Sequence, residues 1–121
     1  MGCRGNDGVM KYALFICVEE GVRPSDAQRQ AIPDAVEAWI ADTTARGIRV
    51  GGWQLAPADE ATTVRVRDGE PRRDEGSFAD PARRIAGLNI LECPGDHEAL
   101  EVARRHPVAA FGTVELRRLD D

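Results

Sequence analysis

The side chains able to move a proton or grip a ligand are few in this 121-residue chain: His97 and His106, a run of arginines and acids between Arg65 and Glu75, Glu115 and Arg117 near the end, and Trp53. His106 precedes Pro107 at the end of a helical stretch. There it serves either as a cation at the negative end of the helix dipole or as a general base titrating near neutrality; the cap is the simpler reading. His97 lies in the first turn of the same stretch, nine residues earlier. That spacing does not bring two ligands onto one helical face, so no metal is expected. No Gly-rich phosphate loop, nucleophile elbow or metal signature occurs, and no cofactor is called for.

Glu75, Ser77 and Phe78 can form a pocket rim, the carboxylate taking a proton or hydrogen bond and the ring supplying an apolar wall. The alternative is an ordinary turn anchored by Phe78. Arg65, Arg67 and Arg117 can hold an anionic ligand, or pair with Glu115 across an interface. Trp53 follows Gly51-Gly52 and can stack on a ligand, whereas Trp39 sits on an apolar helical stripe and reads as core. Arg72-Arg73-Asp74-Glu75 reads as a solvated hairpin edge that discourages strand-to-strand aggregation.

The elements that must position these residues follow from pattern. Val9 to Val18 is apolar on both alternating sets and reads as a strand buried on both faces. Ser25 and Gln28 make a capping box for an amphipathic helix through Ile32, Val36, Trp39, Ile40 and Thr43. Pro33 predicts a kink, or a short first turn followed by a main helix, and Gly47 ends it. Ile48 to Leu55 is a second strand, with Gly51-Gly52 marking a bulge or a close backbone approach. Thr62 to Arg67, Asp68-Gly69 and Glu70 to Asp74 form a hairpin. Gly87 to Cys93 is a fifth strand, Asp96 caps a second helix stopped by Pro107, and Thr113 to Leu119 is the last strand. Two helices are too few to cover both faces of one antiparallel sheet, so they share a face. The other face is expected to carry Arg65, Arg67, Glu115 and Arg117 beside Phe15 and Leu91, a mixture suited to a partner or a cavity.

Composition sets the outer limits. The length suits one domain, assigned to residues 10–121 behind a flexible, polar leader over residues 1–9 that lacks the apolar core of a secretory signal. Met1-Gly2 opens like a myristoylation motif, but Asn6 stands where that motif needs Ser or Thr. A formal charge of −5 disfavours direct nucleic-acid binding, and no run approaches the ~18 apolar residues of a membrane span. Cys3, Cys17 and Cys93 are odd in number and form no C-x-x-C pair, which fits a reducing cytoplasm rather than a disulfide framework or a zinc site.

From Met10 to Leu119 the sequence resembles the YCII-related family in its DGPF-domain branch. The likeness rests on Met10-Lys11-Tyr12-Ala13-Leu14, on Leu55-Ala56-Pro57 with Thr63-Val64-Arg65-Val66-Arg67-Asp68-Gly69, on Glu75-Gly76-Ser77-Phe78-Ala79-Asp80, and on Gly112-Thr113-Val114-Glu115-Leu116-Arg117. In the signature loop Glu75 replaces the branch's Asp and Ser77 its Pro. The resemblance implies a ferredoxin-like α+β unit whose sheets pack face to face in a homodimer. It also implies an association with alternative sigma factors through protein contacts. Some members of the wider family are held to be enzymes using a His and Asp pair near the first strand and helix. Between Val18 and Ala31 this chain has no histidine, so that mechanism is not carried over. The expectation is a cytoplasmic ligand-binding or regulatory accessory protein with its pocket at the dimer's sheet face. The alternative is a cofactor-free enzyme acting on an organic acid or ring compound, with Glu75 or His106 as proton shuttle.

Overall fold

The computed structural model describes residues 8–19, 23–76 and 83–120. Its first strand, β1 (Met10–Glu19), occupies an interior position because both its alternating sets are apolar. It is flanked by β5 (Arg83–Cys93) and β6 (Thr113–Arg118), and β2 (Arg49–Gln54) adds outside β5, giving an antiparallel sheet of order β2-β5-β1-β6. β5 starts at Arg83, earlier than its apolar run from Gly87, since β1 offers Cys17 to Glu19 as partners for Ile85 to Arg83.

Between β1 and β2 runs α1 (Asp26–Ala45). Ser25 Oγ accepts from the Gln28 N–H at 3.1 Å and Gln28 Oε1 accepts from the Ser25 N–H at 2.8 Å, the expected capping box. The helix passes through Pro33 without dividing into two. Gly47, at φ 72°, takes the left-handed conformation that turns the chain out of the helix. α2 (Asp96–Arg104) joins β5 to β6, and a single 3-10 turn, Pro107–Ala110, follows it. Its N-cap is Gly95, not Asp96 as the sequence suggested. The Asp96 carboxylate is drawn away instead by Tyr12, whose hydroxyl donates to Oδ1 at 2.6 Å. Burial, with the Asp96 carboxylate second, pushes the Tyr12 phenol up to about 12.

Both helices lie on one face of the sheet. Tyr12, Leu14 and Ile16 of β1 and Leu91 and Cys93 of β5 are buried there beneath Trp39 of α1 and Ala99, Val102 and Ala103 of α2. Each fully buried leucine contributes about 1.5–3 kcal/mol relative to exposure. Trp39 Nε1–H donates to the Val102 carbonyl at 3.1 Å and so ties the two helices together. Leu91 therefore belongs to the helix-covered core, a correction to its expected place beside Phe15 on the open face.

A second correction concerns the hairpin. Among the described residues β3 (Thr62–Arg67) and β4 (Glu70–Glu75) pair only with each other, turning at Asp68 and Gly69, both at positive φ. Arg65 and Arg67 thus stand on a separate two-stranded sheet, while Glu115 and Arg117 lie opposite Phe15 and Ala13 on the main one. The hairpin forms where its strand pattern and Asp68-Gly69 put it, but apart from the main sheet, because strand pattern carries no information about which neighbour a hairpin joins.

Candidate ligand cleft

A cleft of 530 Å³ opens between α1 and the β2–β5 edge of the sheet. Pro33, Val36, Trp39 and Ile40 of α1 form its roof, Ile16 and Val108 part of its apolar floor, and Arg49, Asn89 and His106 its polar wall. Gly52 and Gly87 carry no side chains to fill the space above the sheet, and Val50 is bulged out of register so that Arg49 and Gly52 share a face.

That glycine has a specific reason. A Cβ on Gly52 would overlap Arg49 Nη2 and Asn89 Oδ1. Its absence lets the arginine lie across the strand, where Nε–H donates to Asn89 Oδ1 at 2.8 Å. The close backbone approach read from Gly51-Gly52 is the approach of Arg49.

His106 is 5% exposed and Asn89 7%. His106 does cap, but not as a cation on α2. It is the N-cap of the following 3-10 turn, its Nδ1 accepting from the Val108 N–H at 3.1 Å, and its ring meets Trp39 edge-on with centroids 4.8 Å apart. Burial pushes its pKa down to about 4, so the ring is neutral at physiological pH. The proton then resides on Nε2, which has no protein partner among the described residues.

The other sequence candidates lie elsewhere. Arg65 pairs with Asp74 at 3.3 Å within the hairpin, and Arg67 Nη1 donates to the Val66 carbonyl. Glu75 is exposed at the end of β4. Glu115 and Arg117 approach each other at 3.8 Å on β6. Trp53 borders the cleft, yet its ring lies over Gly51, on the opposite side of β2 from Arg49, and is 63% exposed. Ser77 and Phe78 fall outside the described residues. Arg49 and Asn89 were missed. An asparagine inside the apolar run Leu88–Leu91 was the available signal, since a buried amide needs a partner.

A second cleft of 480 Å³ lies around Arg46, Cys93, His97, Glu98, Glu101 and Arg105. Its charges are mixed, and Arg46 and Glu101 are already paired, with Asp42 and Arg104 respectively. Among the described residues no group of three His, Cys, Asp or Glu side chains is arranged to hold a metal ion, and no helix is long and apolar enough to cross a membrane.

Strand order, helix placement and the inserted hairpin define a ferredoxin-like α+β domain with a cleft between the first helix and the sheet. The chain belongs to the YCII-related family, whose domain model matches residues 10–121. Among solved structures it is similar to 5-chloro-2-hydroxyhydroquinone dehydrochlorinase from Burkholderia phenoliruptrix AC1100, in complex with 2,5-dihydroxybenzoquinone. The similarity has a TM-score of 0.50 at 15% identity and covers 92% of this chain and 94% of that one. Comparison with the curated proteins finds no match.

Proposed function

We propose that this YCII-related protein binds a small organic molecule in the cleft beneath α1 and works as a ligand-binding accessory protein. The observation that carries this reading is His106: a side chain 5% exposed that lines the cleft and keeps an Nε2–H with no protein partner among the described residues. A nearly buried N–H of this kind is a ready donor to an acceptor atom of a bound ligand. In the same reading the chain pairs with a second copy in the cytoplasm through the helix-free face of its sheet, where half-buried Phe15, Leu88 and Ile90 lie near Glu115 and Arg117. Family resemblance alone supplies the further suggestion of a regulatory role beside sigma factors. The test is a metabolite screen by thermal shift, since a ligand that binds only the folded chain raises its melting temperature by mass action. The hits are then repeated on Val36→Trp, which fills the cleft. Hits that survive this substitution place the ligand elsewhere and sink the reading.

A second reading, a cofactor-free enzyme acting on an organic acid or ring compound, meets a specific constraint. With Nδ1 held by the Val108 N–H, the His106 ring offers a donor to the cleft and no lone pair. It suits polarising a carbonyl better than abstracting a proton, and Glu75 does not line the cleft.

A further inference from the structure

We infer that the ligand is an organic anion, a carboxylate or enolate on an apolar body, gripped by the guanidinium of Arg49 with Asn89 Nδ2 and His106 Nε2 as flanking donors. The inference rests on the cleft being the ligand site.

Three facts about donors and acceptors support it. Arginine only donates, so the Arg49 Nε–H contact obliges Asn89 to turn its Oδ1 toward Arg49, leaving the Nδ2 amide protons as the free end. The Val108 N–H likewise obliges His106 Nδ1 to accept, leaving Nε2–H free. Among the described residues Arg49 makes that one contact and no ion pair, so both its Nη groups are unspent. The unspent polar atoms of these three side chains are therefore all donors, and one of the side chains carries a full positive charge.

Among the described residues no acidic side chain lines the cleft to balance that charge. Elsewhere the protein pairs its arginines readily, Arg46 with Asp42, Arg65 with Asp74 and Arg104 with Glu101. The Arg49 fork matches two oxygens of one planar anion. Pro33, Val36, Ile40 and the Trp39 ring above it supply an apolar surface for the remainder of the molecule.

The experiment compares matched pairs that differ only in charge, benzoate with benzamide and 2-naphthoate with 2-naphthamide, titrated into the full chain and followed by amide NMR shifts. The carboxylates are expected to perturb β2, β5 and residues 106–108, and to bind at least tenfold more tightly than the amides. In Arg49→Met that preference disappears while amide binding persists. Equal binding of acid and amide to the wild type overturns the anion assignment and leaves the cleft standing as a neutral-ligand site. Perturbations outside the cleft, or none with either pair, overturn the assignment as well. The metabolite screen then decides separately whether the cleft binds anything.

Discussion

Arg49 and Asn89 are joined by a 2.8 Å hydrogen bond that passes over the bare Cα of Gly52, so the edge strand β2 is fastened to β5 by side chains as well as by its ladder. The same contact aims a cation at the space beneath α1.

Gly52→Ala tests this arrangement directly. The new methyl cannot share space with Arg49 Nη2 and Asn89 Oδ1, and the flexible arginine is the group that moves. Asn89, nearly buried, then loses its partner at a cost of about 1–3 kcal/mol. Urea denaturation should show a loss in that range, and any carboxylate hit should weaken about tenfold or more.

His106 makes stability fall on mild acidification. At and above neutral pH it is uncharged in both states. Below its ordinary value of 6.5 the unfolded chain takes up a proton that the folded chain refuses until about 4. Stability is therefore lost through that window, by roughly 2–4 kcal/mol in all. In His106→Asn, whose side-chain oxygen can still cap Val108, that component is absent. The stability gap between wild type and variant should shrink as pH falls from neutral to about 4.5 in denaturant titrations; a constant gap would count against the assignment.

Tyr12→Phe removes the 2.6 Å hydrogen bond that brings the start of α2 to β1. A bond to a charged acceptor contributes about 1.5–3 kcal/mol, and Asp96 is exposed enough to recover water, so a loss near 1 kcal/mol is expected. The phenol's raised pKa also stabilises the fold below pH 10, and that contribution is lost as pH rises through about 12. The variant should be less sensitive to alkali by circular dichroism than the wild type.

Pro33→Ala should stabilise. Pro33 lies inside α1, where it cannot donate to the Arg29 carbonyl. Restoring the donor is worth about 1–3 kcal/mol against a small entropy gain in the unfolded chain. Since Pro33 also lines the roof of the cleft, ligand titration of the same variant shows whether the helix carries that cost for binding.

Self-association is tested by Phe15→Glu on the helix-free face. Sedimentation of the wild type should give a dimer at micromolar concentration and the variant a monomer with unchanged far-ultraviolet circular dichroism. A wild-type monomer removes the dimer.

Local pattern made most of the fold legible. The Ser25–Gln28 box, the Asp68-Gly69 turn, Gly47 and the doubly apolar β1 each express a short-range rule, and each lies where that rule puts it. What failed was long-range: whether the hairpin joins the main sheet, which face takes Leu91, and what Asp96 does once Tyr12, 84 positions earlier, comes within reach. The cleft was hidden for the same reason. Arg49 and Asn89 are 40 residues apart, and only a bulge at Val50 puts them on one face. His106 drew notice by its type, but its charge state depended on burial that no spacing discloses.

The interior position of β1 also dictates an order of assembly. Every pairing in the four-stranded sheet joins a residue before position 55 to one after position 82, whereas the β3–β4 hairpin closes on itself. As the chain leaves the ribosome, α1 and the hairpin can form at once, but β1 must wait, apolar on both faces, until β5 emerges. Closing loops of that length makes folding slow relative to local structure. During that wait the chain presents an aggregation-prone strand, Tyr12 to Val18, of the kind chaperones recognise.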